Sequence, residues 1–567
     1  MTLDITVTIG GEAGQGIQTV GEIIALVCKK SGLFVMANND FESRIRGGHS
    51  FFQVRISDKP VRAPHHRIHL LVALNQDAYR FHKDSMASGG LVLMDDPGAA
   101  MKKDVVPIPF NELAGKAGGK ITANTVAAGA CLSVLGAPLK IFKAVLKDLF
   151  ESKGPEILES NHTAAQLGYE AAAGTRLQWT LARKVKASRG VLINGSKAIA
   201  LGALAADCRM AAFYPMSPAT EIMNQLAGYS DRFPVVVEQA EDEISAANMI
   251  IGASFAGVRS MTATSGGGFC LMTEALGLAG MTETPIVIVN AQRPGPATGL
   301  PTRTGQADLH FVINASQDEF PRFVFAPGSP AEAFETTRKA FHLAEKYQVP
   351  AIVLVDQYLN DSLFIEETAF TAPKTIERFI ATDESIGDPA RYRRYAVTPS
   401  GISPRVAPCM GKALIVCNGN EHAEDGHISE NISNRIRMVD KRNAKVPHMV
   451  KEMSPPPAYK KNSGTLLVGW GSTRGAIKES VDILRKEGLD VGCLHFTDIW
   501  PFPAQAVRRA LAKNKKFIAV ELNSSAQLGR LIRQETGLSS AGAILKYDGR
   551  PFCPNDIAEG FKKLVRS

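Results

Sequence analysis

The chain has 567 residues, enough for roughly four domains of ordinary size, so a single small module is excluded. A hydrophobic share of 45% and a charged share of 21% are those of a globular protein able to bury several cores, which argues against global disorder. Lysine and arginine total 64 against 56 acids, and the resulting +8 is too dilute on this length to mark a nucleic-acid protein; it suits acidic substrates or an acidic partner.

The N-terminus reads as a strand (Ile5 to Ile9), a glycine turn (Gly10 to Gly16), a helix (Ile17 to Lys30) and a second strand (Leu33 to Ala37), a βαβ opening. With an acid at position 4 and strand-like alternation, it lacks the basic start and long apolar run of a signal peptide. Short apolar runs at Leu70 to Leu74 and Leu91 to Met94 extend the pattern, so residues 1–182 are expected to form one α/β domain. The basic run Arg183 to Arg189 reads as a solvated linker. Over 190–375, an alanine-rich helix (Ser196 to Ala206) and further helices alternate with strands at Val235 to Val237, Ser260 to Ala263, Ile286 to Val289 and Ala351 to Val355, a second doubly wound sheet. Residues 376–462 are richer in proline, arginine and polar groups, with weak periodicity, and predict an extended, partly ordered connection able to wrap a partner. A third α/β unit fills 463–567, with strands at Gly464 to Gly471, Val491 to His495 and Phe517 to Val520 and a helix from Ala476 to Glu487.

No apolar run reaches about 18 residues, so no membrane span is expected. Eight cysteines include no C-x-x-C, and the closest pair is Cys409 and Cys417; this argues against a cluster loop or zinc knuckle built by this chain alone and fits a reduced, cytoplasmic compartment.

Several loops carry chemistry. The glycine loop at 10–16 follows a strand and opens a helix, where backbone N–H groups can hold a phosphate, although a plain structural turn remains open. Ala13 stands where G-x-G-x-x-G needs glycine, which disfavours a nicotinamide enzyme. Arg44, Arg46 and His49 add positive charge after the second strand, either for an anion or merely solvated. In Tyr214-Pro-Met-Ser-Pro218 two prolines flank a serine just before a helix, so Ser217 either offers its hydroxyl to a small anion or caps that helix. Glu241, Asp242 and Glu243 open a helix after a strand; because Glu243 leads into the apolar run from Met249, its carboxylate can face the interior and suit proton work. Thr264-Ser-Gly-Gly-Gly-Phe269 is a hydroxyl-rich turn at a strand end, and Arg293-Pro-Gly-Pro-Ala-Thr-Gly-Leu-Pro-Thr302 fixes an arginine, able to grip a carboxylate, among prolines and threonines.

As a set these segments, with Ile45-Arg-Gly-Gly-His49, resemble the 2-oxoacid:ferredoxin oxidoreductases, as an alpha subunit with the family's gamma domain fused to its N-terminus. Asn418-Gly-Asn-Glu-His422 with Asp425-Gly-His-Ile-Ser429 resembles the subgroup that includes 2-oxoglutarate enzymes. The resemblance implies three α/β domains: a gamma-type Rossmann-like domain, a thiamine-diphosphate pyrimidine-binding domain and a transketolase C-terminal-like domain. It further implies cleavage of a 2-oxoacid, here 2-oxoglutarate, with coenzyme A to give an acyl-CoA, carbon dioxide and reduced ferredoxin. Glu243 matches the glutamate that hydrogen-bonds the thiamine aminopyrimidine ring and favours its imino tautomer. Arg293 matches the arginine that pairs with the substrate carboxylate, and Tyr214, Ser217, Thr298 and Thr302 match positions lining the substrate pocket. Gly11, Gly14, Gln15 and Gly16 are the implied coenzyme A contacts. Ser217 replaces the usual threonine, Gly267 a frequent proline and Ala297 a small hydroxyl residue. The chain has no metal-ligand set of its own, lacking Gly-Asp-Gly followed by asparagine; Mg²⁺, the diphosphate site and a [4Fe-4S] cluster are therefore expected on a beta subunit, within a dimer of alpha–beta heterodimers that meets ferredoxin. A pyruvate or branched-chain 2-oxoacid enzyme, and a non-catalytic thiamine-fold interaction subunit, are the alternatives.

Overall fold

The computed structural model describes residues 3–43, 47–96, 104–177, 190–511 and 516–566. The chain forms two compact units, one of Met1–Ile193 with Asp361–Thr368, the other of Asn194–Asn360 with Ala369–Ser567. The basic run 183–189, and Arg44, Ile45 and Arg46, lie outside the described residues.

In the first unit, strand β1 (Asp4–Ala13) buries Ile5, Val7 and Ile9. The helix Ile17–Lys30 lays Val20, Ile23, Ile24, Val27 and Cys28 on the same core, an i, i+3, i+4, i+7 stripe. Each large aliphatic so enclosed stabilises the unit by roughly 1.5–3 kcal/mol. Lys29 and Lys30 complement the dipole in the helix's last turn. The strands that follow are β2 (Phe34–Asp40), β3 (Gly47–Ser57), β4 (Ile68–Ala73), β5 (Met86–Met94), β6 (Val105–Pro107) and β7 (Val191–Ile193). β1 is parallel to β4 and antiparallel to β3, and β3 is antiparallel to β2. The expected βαβ opening is therefore split, because β3 lies between β1 and β2. Sequence patterning misses β3 because both its faces are enclosed. Phe52, Val54 and Ile56 enter the core, while Gln53, Arg55 and Ser57 are buried on the other side, Arg55 gripping Asp4 at 2.9 and 2.8 Å.

The second unit opens with β8 (Met210–Phe213), β9 (Val236–Gln239), β10 (Ser260–Thr264), β11 (Val287–Gln292), β12 (Phe323–Phe325) and β13 (Ala351–Asp356), all parallel where they pair with one another. Runs such as Ile286-Val-Ile-Val289 and Ala351-Ile-Val-Leu-Val355 are buried throughout, as strands covered on both faces require. β14 (Leu363–Glu366) returns to the first unit, where it pairs with β2 and β7 and completes an eight-stranded sheet. After β15 (Ala458–Tyr459), β16 (Thr465–Trp470) and β17 (Val491–Phe496), β18 (Asp498–Trp500) crosses to pair antiparallel with β12. The seven-stranded order is thus β18-β12-β13-β11-β10-β8-β9. With β19 (Lys516–Glu521) and β20 (Gly542–Leu545), the third sheet runs β15-β17-β16-β19-β20. Ile288 and Ile352 of one sheet share a core with Val468, Trp470 and Phe496 of the other. The protein is α/β throughout, with a mixed eight-stranded sheet in the first unit and two parallel-rich sheets in the second.

The connection over 376–462 differs from the extended run expected. Ile432–Asn443 and Val446–Glu452 are helices, the first capped by Asn431, whose side chain accepts from Asn434 N–H, the second with Pro447 in its first turn. It wraps the core of its own unit. Arg394 donates to Glu283 O and Gln348 Oε1, each at 2.8 Å, Arg378 reaches Gly257 O at 2.7 Å, and Arg405 donates to Ser254 O. Hydrophobic periodicity is weak because these helices bury Lys441, Arg442 and Lys445 rather than an apolar stripe.

Candidate active site

Because β8, β9, β10, β11 and β13 are parallel, their carboxyl ends share one edge of the sheet, and each of the chemistry-bearing loops of this unit leaves from that edge. Asp242 caps the helix Glu243–Phe255 by accepting Ser245 N–H at 2.7 Å. That leaves the next side chain free to turn inward, and Glu243 is 3% exposed while Glu241 is exposed. Among the described residues no protein group hydrogen-bonds the buried Glu243 Oε1. An unpartnered carboxylate oxygen in such surroundings is costly unless a ligand donates to it.

The segment after β10, expected as a turn, is the start of the helix Gly266–Leu271, and it is shaped around this carboxylate. A Cβ on Gly268 would run into Thr264 Oγ1 and come within 2.6 Å of Glu243 Oε1, so only glycine fits. Ser265 Oγ lies 2.8 Å from Met216 Sδ, tying this turn to the loop after β8. That loop is held in turn by Arg293, whose Nη1 donates to Ser217 O at 2.8 Å, and by Asn360, which donates to Pro218 O at 3.3 Å. Arg293 Nε is buried without a partner, and partial burial lowers the guanidinium below its usual range. The helix after this loop begins at Thr220 with Ala219 at its N-cap, so Ser217 does not cap it and its side chain is exposed.

Tyr214 and Thr298 are exposed and Thr302 is buried. The Arg293 loop folds back on itself through Leu300 N–H to Pro294 O at 2.9 Å, with Gly299 in the left-handed region against Pro294 O. Ser217 and Arg293 are thus in direct contact, and Glu243 abuts the turn that touches the Ser217 loop through Met216.

Two acids escape a motif reading, Asp356 buried and Asp308 half-buried. Asp356, which ends β13, accepts from Ser472 Oγ and Leu359 N–H, yet burial pushes it up to about 6. Asp308 accepts from Asn290 Nδ2 at 3.2 Å, and burial pushes it too up to about 6. The available signal was an acid closing the apolar run of β13, and an aspartate opening a short helix.

The glycine loop belongs to the first unit. Gly14 and Gly16 have φ of 90° and 70°, and the helix that follows has no acid in its first turn. Among the described residues nothing lies within 4 Å of the position of a Gly14 Cβ, whereas Gly16 packs against Asn124. Gln15 braces the loop, its Oε1 accepting from Glu12 N–H at 2.8 Å and Asn75 Nδ2 at 3.4 Å; a Cβ on Gly11 would come within 2.5 Å of that oxygen. His49 Nε2 lies 3.0 Å from His82 Nε2.

Three sequence families divide the chain. Residues 6–171 match pyruvate ferredoxin/flavodoxin oxidoreductase, 201–441 match pyruvate flavodoxin/ferredoxin oxidoreductase, thiamine diphosphate-binding, and 464–557 match pyruvate:ferredoxin oxidoreductase core domain II. The chain is 33% identical to the 2-oxoacid:ferredoxin oxidoreductase subunit alpha of a Sulfolobus species, over 98% of this chain and 96% of that one. It is 29% identical to the 2-oxoglutarate oxidoreductase subunit KorA of Mycobacterium tuberculosis, over 98% and 90%. A solved 2-oxoglutarate:ferredoxin oxidoreductase from Magnetococcus marinus, with 2-oxoglutarate, coenzyme A and succinyl-CoA bound, superposes with a TM-score of 0.91 at 31% identity over 99% of each chain. Fold and matches together define the class, an oxidoreductase of the pyruvate:ferredoxin type. More particularly, the chain belongs to the 2-oxoacid:ferredoxin oxidoreductase family, as an alpha subunit with a gamma-type domain at its N-terminus. Among the described residues no helix is long and apolar enough to cross a membrane.

Proposed function

We propose that this chain is the alpha subunit of a 2-oxoglutarate:ferredoxin oxidoreductase, which with a beta subunit converts 2-oxoglutarate and coenzyme A to succinyl-CoA and carbon dioxide while reducing ferredoxin. The observation that carries this reading is the enclosed, unpartnered Oε1 of Glu243 beside the bare backbone of Gly268, a cradle that fits a ring nitrogen able to donate a hydrogen bond. When bound there, thiamine diphosphate supplies the nucleophilic carbon that 2-oxoacid cleavage needs. Glu243 would hold its ring through Oε1 and would be the group able to exchange a proton with it. Arg293, fixed through Ser217 O with Nε still unpartnered, meets the substrate carboxylate, and the Tyr214, Ser217, Thr298 and Thr302 hydroxyls line the pocket. The choice of 2-oxoglutarate over pyruvate or a branched-chain acid is supported by the ligand of the Magnetococcus marinus enzyme and by the 2-oxoglutarate relatives.

The backbone at Gly14, with Gly11, Gln15 and Gly16, is assigned to coenzyme A phosphates, Gln15 acting through the loop it braces. The exposed apolar side chains of Ile244, Met249 and Leu271, on the helix of Glu243 and the neighbouring helix after β10, suit a covering partner. That partner is the beta subunit, bearing Mg²⁺, the diphosphate site and a [4Fe-4S] cluster. The test is anaerobic co-expression with that subunit and an assay of coenzyme-A-dependent reduction of a low-potential dye. Turnover with 2-oxoglutarate is expected to exceed that with pyruvate and to fall roughly a hundredfold or more in Glu243→Ala. Preference for pyruvate would overturn the substrate, and inactivity with every 2-oxoacid in a cofactor-loaded complex would favour a non-catalytic subunit.

A further inference from the structure

Asp308 immediately precedes the helix Leu309–Asn314, where an aspartate ordinarily caps, yet its side chain caps nothing there. It turns instead toward the carboxyl edge of the sheet. Asn290, the partner of Thr264 across β10 and β11, donates to its Oδ2 at 3.2 Å, and Gln292 Oε1 accepts its backbone N–H at 3.1 Å. A Cβ on Gly266 would come within 2.5 Å of that same Oδ2, so the carboxyl rests on bare backbone. Gly266 and Gly268 belong to the first turn of the helix Gly266–Leu271, pressed by Asp308 at one end and by Glu243 at the other. Asn290 Oδ1, on the amide that holds Asp308, is buried without a partner, as is Glu243 Oε1. A residue that forgoes its local cap to press on a turn shared with the candidate catalytic acid breaks a local rule where function accounts for it.

Building on the thiamine-dependent reading above, we propose that Asp308 is a positioning residue for the reaction: its carboxylate, held by Asn290, keeps the Gly266–Gly268 turn where Glu243 needs it. Its single side-chain hydrogen bond is charge-assisted when the carboxyl is ionised and weaker when it is protonated. With burial raising the carboxyl to about 6, that change falls on the acid side of neutrality. Its charge reaches Cys270 on the helix Gly266–Leu271. Other titratable groups on the surrounding elements are Glu243, Arg293, Asp356, His310 on its own helix, and the exposed Arg530 and Arg533 of the helix Gln527–Thr536 packed against it, and among the described residues Asp308 forms no ion pair with any of them.

The test uses the alpha–beta complex and two readouts, the pH profile of kcat and infrared titration of the protonated carboxyl band, which needs no turnover. In the wild type both are expected to show a midpoint near pH 6, with kcat falling on the acid side. Asp308→Asn, which keeps the shape but cannot ionise, should lose both the band and the limb and lower kcat at its plateau roughly tenfold to a hundredfold, with KM for the 2-oxoacid little changed. Asn290→Leu should keep the limb but move it to higher pH, because Asn290 donates to the ionised form. An acid limb retained in Asp308→Asn, a limb unmoved in Asn290→Leu, or variants that lose only melting temperature and cofactor content would overturn the positioning role. Failure of the function proposed above would show instead in the wild type, as absence of 2-oxoacid turnover, and would overturn both.

Discussion

Asp356 shows what enclosure does to one side chain. Ser472 Oγ and Leu359 N–H both donate to it, which favours the ionised form, yet complete burial outweighs them and raises it from 3.8 to about 6. A carboxyl raised in the folded state binds more protons there than in the unfolded chain, so its contribution to stability declines as pH rises from about 4 to about 6 and stays diminished above that. In Asp356→Asn this titration is absent. The difference in unfolding free energy between variant and wild type, followed by urea denaturation from pH 4 to 8, should shift in the variant's favour through that window by up to roughly 3 kcal/mol and level off above it. A difference independent of pH would mean that Asp356 stays ionised throughout. Glu243 could be singled out by its place before an apolar run, whereas Asp308 and Asp356 owe their raised pKa to burial, with hydrogen-bond partners 18 and 116 positions away, Asn290 and Ser472, and no local pattern displays either.

At the scale of elements, the helix Ile432–Asn443 and the one after it are docked by charge. Glu283, just beyond the helix Thr273–Met281, is 1% exposed and receives both Lys441 Nζ and Lys445 Nζ, the latter at 2.5 Å. These cations hold the glutamate's carboxyl far below the usual carboxylate range. Glu283→Gln would leave two enclosed ammonium groups without a counter-charge and is expected to lower stability by roughly 3–5 kcal/mol. Adding Lys441→Met and Lys445→Met to that variant should restore much of the loss, and thermal melting of the three forms checks both statements. The pairing spans about 160 residues, and so these helices are hidden from periodicity; β3 escapes for a related reason, its polar face being buried by neighbours distant in the chain. Within the turn after β10, Gly268→Ala should weaken thiamine diphosphate binding, measured by titration of the complex, because the added methyl meets Thr264 and Glu243.

At the scale of the whole molecule, Tyr214, Ser217 and Thr298 and the apolar side chains beside Glu243 are exposed, and the proposed function has the beta subunit cover them. The isolated chain should therefore show no dye reduction, and adding the beta subunit should restore it. The sequence by itself determined the α/β class, through apolar runs ending in turns, and it determined which loops carry hydroxyls, glycines, an arginine and an acid, because strand and turn chemistry is local. Only the tertiary structure decided that the loops leaving the strands of the second unit share one edge, since parallel pairing is what brings β8, β9, β10, β11 and β13 into register. It also decided which carboxylates lose water and what compensates them, because burial and partnership depend on residues far apart in the chain.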